Sequence, residues 1–412
     1  MSRAAPLPGF AYTSPHAAIE ALASRLGAVG QEQIDLAESA GRVLSQPIYT
    51  DRDSPPSDVS AMDGYAVRSG DAEPLATIEV LGEIAIGQPA PAMPRRGCFK
   101  IGTGACVPEA CDGVIPRELV IESEKSITLN DGLQFSPGQH IRRRGENTRR
   151  DSLIANPGTL ITPPVASALA AFGHTSISVY RRILVALLTT GDELQPVSSK
   201  PEPWQIRDSN SATLCNALAY TPWIDIALVD HVADDQGVLV DALQAATNNA
   251  DLVVTTGGVS MGDRDYLKPA LLQAGGEVIY HKLPIRPGKP SLGGVLPNGQ
   301  NNDFPVPVIA LPGNPVAVAV GIPLFIAPLA RQLAGISPPF SRRPRVQLIK
   351  PPSKTLRLWR YLPVRWVEDG CIELITTMGS GDLAGAALAE GYAEIPPEAA
   401  GTGPWVFYDA KL

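Results

Sequence analysis

The sequence is short of cysteine, histidine and positive charge. Five cysteines among 412 residues, Cys98, Cys106, Cys111, Cys215 and Cys371, are too few for a disulfide framework. None forms a Cys-x-x-Cys pair, so the commonest structural zinc pattern is missing. An odd number of thiols reads as reduced cysteine in a reducing compartment, and a cytoplasmic protein is expected. The net charge of −8 leaves no overall basic footprint, which argues against nucleic acid as a partner. Anionic ligands would need a local basic site. The first fifteen residues hold no apolar core of a secretory leader. Long hydrophobic runs are also absent. The longest stretch without a polar side chain, Pro315 to Ala330, has 16 residues and contains Gly321, Pro323 and Pro328. A membrane span needs ~20 residues, so a kinked, buried helix is expected there and no membrane partner.

Proline (40) and glycine (38) are plentiful, about 19% of the chain against an average of ~12%. Many turns and built loops follow. Four regions differ in pattern. Residues 1–50 and 146–180 form an N-terminal and linking region, in which Ser14-Pro15 caps a helix carrying Ile19, Leu22 and Leu26, with Gly27 placed to close it. Residues 51–145 alternate short apolar runs with glycine and proline turns and read as β-rich. Residues 181–336 alternate strands and helices, the signature of a doubly wound α/β sheet with ligands beyond the carboxyl ends of its strands. After a proline- and arginine-rich stretch from Ser337 to Arg345, residues 337–412 hold short alternating strands that suit a small β-barrel or sandwich.

Several loops could carry chemistry. Thr255 to Asp265 follows a strand and precedes a helix. Gly257 and Gly258 let backbone amides approach a phosphate and Ser260 adds a donor, whereas Asp263 and Asp265 would repel a phosphate unless a divalent cation lay between. A tight strand-to-helix turn reads equally well from these residues alone. Lys282, Arg286 and Lys289 fall within eight residues stiffened by Pro284, Pro287 and Pro290, a spacing that suits a dianionic ligand. Thr189-Thr190-Gly191-Asp192-Glu193 places two carboxylates at a strand end, for a metal, a nucleotide hydroxyl or a helix cap. Asp208, Asp234 and Asp235 read as helix caps. Ser60 to Ala66 reads as a turn, Arg142 to Arg144 as a solvated basic face, and Gly102 to Ala105 as a bulge or a phosphate cradle.

Together these segments resemble the molybdopterin molybdenumtransferase family, which includes MoeA and the gephyrin E domain. The matching pieces are SAMDGYAV (60–67), GTGACVP (102–108), IRRRGE (141–146), TTGDEL (189–194), IRDSN (206–210), TTGGVSMGDRDY (255–266), IRPGKP (285–290) and LPGNPV (311–316), in family order and spread over most of the chain. The resemblance implies a MogA-like α/β domain, a β-rich domain, a linking region and a C-terminal β-barrel, assembled as a homodimer. It implies insertion of molybdate into adenylylated molybdopterin with release of AMP and Mg²⁺ assistance, and a MogA-like adenylyltransferase as a possible partner. Carried over by motif, Asp63, Thr103, Glu193, Asp234, Asp265, Lys282 and Arg286 fall on active-site positions, with Glu193 and Asp265 as metal ligands. Gly257, Gly258, Ser260, Lys289, Pro290, Gly313, Asn314 and Ser380 fall on substrate-binding positions. Asp63 and Thr103 would reach the site from the neighbouring subunit.

The chain departs from the family pattern in places. Val59 stands where Asn is usual, Asn147 where Asp is usual, Ala317 where Ser is usual, and Arg286 where Lys is usual. Arg357 and Arg360 are the candidates for an arginine near the start of the barrel. These changes leave open a non-catalytic pterin-binding or scaffolding paralogue as the alternative function.

Overall fold

The computed structural model describes residues 8–259, 266–299, 304–340 and 342–410. Two compact units emerge, one within Met1–Gln46, Asn156–Ala166 and Thr175–Leu412, the other within Pro47–Ala155 and Ser167–His174.

In the first unit, α1 (Pro15–Ala23) starts as its sequence dictates. Ser14 accepts from the Ala17 amide, and Pro15 occupies the first turn. It ends earlier than expected. Ser24, not Gly27, closes the helix, its amide bonded to the Glu20 carbonyl and its hydroxyl to the Ala21 carbonyl. Gly27 serves packing instead, because the Phe304 ring fills the space a Cβ would take.

The central sheet is built from β1 (Ile183–Thr190), α2 (Ser209–Ala219), β2 (Ile224–Val232), α3 (Gln236–Thr247), β3 (Leu252–Thr256), α4 (Leu267–Gln273), β4 (Glu277–His281), β5 (Leu292–Leu296) and β6 (Val306–Leu311). Strand order is β2-β1-β3-β6-β5-β4. The first four are parallel, and β5 and β4 run antiparallel to their neighbours. The doubly wound expectation therefore holds with an antiparallel margin. Alternate residues of β1 feed opposite cores: Ile183, Val185 and Leu187 face one helix layer, and Ala186 and Leu188 the other. Burial on both faces explains why β1 reads as a continuous apolar run.

The long apolar segment is broken as its prolines require. Helix α5 (Pro315–Gly321) passes through a π turn at Ile322–Ile326, containing Pro323, into α6 (Ala327–Leu333). It is the one helical segment among the described residues long and apolar enough to cross a membrane, and 78% of its apolar 18-residue stretch is buried within the protein.

Strands β7 (Arg345–Leu348), β8 (Trp359–Glu368), β9 (Cys371–Leu374), β10 (Gly391–Ile395) and β11 (Trp405–Asp409) close into a barrel, in the order β8-β9-β7-β11-β10 with β10 returning to β8. Closure removes the sheet edges. Beside it lies a fully satisfied polar cluster. Buried Glu394 accepts from Tyr408 Oη (2.7 Å) and Tyr361 Oη (3.0 Å) and pairs with His16 Nε2 (2.8 Å). Burial pushes the Glu394 carboxyl up, but His16 and the two phenols more than offset this and hold it below the usual carboxylate range. The stretch expected as a linker takes part: Arg343 stacks 3.6 Å over the Tyr408 ring and donates to the Pro323 carbonyl at 2.7 Å.

The second unit carries a six-stranded sheet in the order Gly113–Pro116, Gly64–Val67, Cys98–Ile101, Thr77–Ile84, Ser126–Leu129 and Val120–Glu122. Two short ribbons accompany it, Val59–Ser60 with Ile141–Arg142 and Ile48–Tyr49 with Leu153–Ala155.

Candidate active site

Register places five loops along one edge of the central sheet. Thr190 pairs with Val232, Thr189 with Thr256, and Thr256 with Leu311, so β1, β2, β3 and β6 end together. His281, the last residue of β4, pairs with Leu292, which pairs with Ala310. The cationic loop after β4 therefore opens on the same edge. This is the edge where doubly wound sheets bind ligands.

Three of these loops touch through glycine. Gly257 has φ +86°, and a Cβ there would collide with the Thr190 carbonyl oxygen and lie 2.7 Å from Thr190 Oγ1. A Cβ on Gly313 would sit 3.8 Å from the Gly257 Cα, and the Gly257 amide donates to the Leu311 carbonyl at 3.0 Å. Gly258 also has positive φ, +65°. Glycine is required in the Thr255 loop by conformation and by close approach to Thr190, as a tight turn demands. Ser260 and Asp265 lie outside the described residues.

The remaining sequence-derived residues of this unit arrange as follows. Glu193 is exposed, its carboxylate folded back toward Gly191, where a Cβ would lie 2.9 Å from Oε2. Asp234 is half-buried two residues past β2, while Asp235 accepts from the Val238 amide (3.0 Å) and caps α3. Asp208 caps α2 and also receives the Thr189 hydroxyl at 3.2 Å. Around Lys282, the cationic loop is closed by two backbone bonds, Lys282 N to Ser291 O (3.1 Å) and Leu283 N to Lys289 O (2.8 Å). Arg286 and Lys289 are exposed, with Lys289 Nζ 5.7 Å from the Phe10 ring centre, and Pro290 is half-buried. The Gly313 carbonyl accepts from Asn210 Nδ2 at 2.9 Å. Asn314 precedes α5 without a side-chain cap bond, and the Ser380 carbonyl accepts from the Val316 amide at 3.2 Å, which ties the barrel loop to the start of α5. Of the barrel arginine candidates, Arg360 is buried and bonded to the Lys354 and Ala399 carbonyls, and exposed Arg357 pairs with Glu398 at 3.2 Å. Among the described residues no group of three or more His, Cys, Asp or Glu forms a ready metal cage.

Sequence reasoning missed the threonines and one asparagine. The hydroxyls of Thr190, Thr255 and Thr256 and the Asn210 Oδ1 are buried without a hydrogen-bond partner. Buried polar atoms are paired in the great majority of cases, so a concentration of orphans at strand ends marks a place where water or ligand completes the bonding. The repeated Thr-Thr-Gly at 189–191 and 255–257 was the available signal.

In the second unit, Asp63 and Thr103 are brought together. The Thr103 amide and hydroxyl both donate to Asp63 Oδ1, each at 2.7 Å, and these bonds hold the Asp63 carboxyl below its ordinary range. The basic segment is more than a solvated face. Arg143 pairs with Asp58 (2.5 Å) and Arg144 with Asp53 (2.6 Å), while Arg142 bonds the Asn147 side-chain carbonyl and lies 3.5 Å from Glu146.

Comparison with known proteins identifies the family and the fold. Residues 13–173 match the MoeA N-terminal region (domain I and II), and residues 186–332 match a probable molybdopterin binding domain. A molybdopterin molybdenumtransferase of Haemophilus influenzae is 35% identical over 308 residues, 74% of this chain and 73% of that protein. The chain belongs to the molybdopterin molybdenumtransferase family. A second relative of that name, from Synechocystis, is 28% identical over 382 residues, covering 92% of this chain and 94% of its own. The molybdopterin biosynthesis MoeA protein of Pyrococcus horikoshii shares the fold, with a TM-score of 0.76 at 26% identity over 97% of this chain and 99% of the other. The fold expected for the family, with a sheet-rich unit, an α/β sheet and a closed five-stranded barrel, is the fold observed.

Proposed function

We infer that the protein is a molybdopterin molybdenumtransferase, which inserts molybdate into adenylylated molybdopterin and releases AMP during molybdenum cofactor biosynthesis. The observation that supports this reading is that the described parts of five family motifs, from five separate stretches of the α/β region, border one edge of the central sheet, the edge where doubly wound sheets bind ligands.

The chemistry follows from charge. Molybdate and a pyrophosphate-bearing pterin repel each other, and cations are needed to bring them together. Lys282, Arg286 and Lys289 supply these from a loop closed at its base. The Gly257-Gly258 turn offers backbone approach to a phosphate, and the Gly313-Asn314 turn faces it. Glu193 and Asp265 are proposed as Mg²⁺ ligands. Glu193 fits, being an exposed carboxylate just past the end of β1, since Mg²⁺ is commonly held by one or two carboxylates together with substrate phosphates. When bound, the metal would offset phosphate charge. Lys289, Pro290 and Ser380 are proposed to border the oxyanion.

A homodimer, a cytoplasmic location and receipt of substrate from a MogA-like adenylyltransferase are part of the same proposal, with Asp63 and Thr103 contributed from the neighbouring subunit. Molybdate-dependent release of AMP from adenylylated molybdopterin tests the activity, and its absence at every Mg²⁺ concentration would refute it. Glu193→Gln should lower that release at least tenfold and raise the Mg²⁺ needed. A monomeric mass by light scattering at micromolar concentration would overturn the dimer.

A further inference from the structure

We propose that Asn210 is a positioning residue for this reaction: its side chain holds the Gly313 loop in the shape that binds substrate. The proposal rests on the functional reading above and adds a residue that touches the loop instead of the reacting atoms.

Asn210 lies in the first turn of α2 and is 5% exposed. Its Nδ2 donates to the Gly313 carbonyl at 2.9 Å, across 103 residues of sequence. The orientation of the amide follows from chemistry, since a carbonyl oxygen can only accept. The base from which Asn210 reaches is itself fixed. Asp208 caps α2 through the Ser211 amide (2.9 Å) and hydroxyl (2.5 Å), and receives Thr189 Oγ1 of β1 at 3.2 Å. The first turn of α2 is therefore tied to the strand that carries the Gly191 loop.

The loop at the other end needs such a tether. Asn314 makes no side-chain cap bond to α5, so the usual local fastening is missing. Gly313 lies beside Gly257, where an added Cβ would make an ordinary contact of 3.8 Å with the Gly257 Cα. The amide of Val316, three residues on, bonds the Ser380 carbonyl, so displacement of the loop would also disturb the barrel serine. Two side chains of the α2 start, Asp208 and Asn210, thus tie the end of β1 to the loop after β6. The same amide carries, beside the donor used here, an acceptor, Oδ1, that is buried and unpartnered.

The test compares Asn210→Asp and Asn210→Ala with wild type in AMP release, at pH values from 5.5 to 8.5. An ionised aspartate sets an oxygen against the Gly313 oxygen, whereas a protonated one donates and restores the bond. Asn210→Asp should show KM for adenylylated molybdopterin raised about tenfold or more at pH 8.5, returning toward wild type as pH falls, with kcat within about threefold. Asn210→Ala should show a similar rise without the pH-dependent recovery. Backbone hydrogen exchange in 312–318 supplies a readout independent of turnover, and should quicken about tenfold in Asn210→Ala. Unchanged KM in both variants overturns the proposal. So does a uniform loss of active protein with KM and the pH profile unaltered, the mark of a merely structural residue. If wild type itself releases no AMP, the functional reading fails, and unchanged exchange in 312–318 then overturns the positioning role on its own.

Discussion

Two polar clusters in the first unit are built on opposite principles. Around Glu394, every buried polar partner is matched: two phenols and an imidazole converge on one carboxylate, and Arg343 stacks beside them. At the ends of β1 and β3, and at Asn210, the protein buries three hydroxyls and a carbonyl oxygen with no partner. A satisfied network stabilises the fold, whereas unsatisfied groups cost stability until something binds them. The difference lies in what each cluster leaves for water or a ligand to complete. The cavity of about 310 Å³ lined by His16, Arg343, Glu394 and Tyr408 contains none of the strand-end loops.

The largest expected effect belongs to the satisfied cluster. Glu394→Ala should cost roughly 3–5 kcal/mol, because it strands two buried phenols and leaves His16 without its partner. Urea denaturation would measure it, and AMP release per folded molecule should be unchanged. A loss below about 1 kcal/mol would mean the cluster is not the anchor described.

Next comes the crevice itself. Gly257→Ala should cost roughly 2–4 kcal/mol, from strained positive φ and collision with the Thr190 carbonyl. Turnover should fall with it, since relief of the clash moves the loop. A crystal structure of the variant with the loop unmoved would contradict the close-approach argument.

A smaller effect is the pH dependence contributed by Glu394. Its carboxyl is held below the ordinary value in the folded protein. Its contribution is therefore complete above the ordinary carboxylate range and lost as pH falls through the folded-state value, where the unfolded chain binds more protons. Glu394→Gln should flatten the acid limb of the stability profile relative to wild type. An identical limb in both would assign acid sensitivity to other carboxylates.

Much of the architecture was legible from local pattern. The Ser14-Pro15 start, the Asp235 cap, the continuous apolar run of β1 and the broken helix after Pro315 follow from short-range rules that the fold did not override. The glycine loops were legible as turns that could bind phosphate. What escaped has one physical cause, dependence on distant partners. Thr190 and Thr256 suit strands as β-branched residues, so only the repeated Thr-Thr-Gly, and not strand propensity, sets their hydroxyls apart in sequence. Asn210 acquires its role from Gly313, and Arg343 from Tyr408 and Pro323. Gly27 is explained by Phe304 rather than by a helix end. The pairing of Asp63 with Thr103 became visible only when a six-stranded sheet aligned Gly64 with Ile101.

The contrast between the clusters is tested most directly by Thr190→Val, which replaces an unpartnered hydroxyl with a methyl group of the same shape. Unfolding free energy and molybdate-dependent AMP release would be measured on the same preparation. If the hydroxyl awaits a ligand, stability should change by less than about 1 kcal/mol, or rise slightly, while AMP release falls about tenfold to a hundredfold, the worth of a hydrogen bond to a charged group. A stability loss above about 2 kcal/mol with turnover per folded molecule unchanged would show instead that the hydroxyl serves the fold, and that the strand-end orphans do not mark the site.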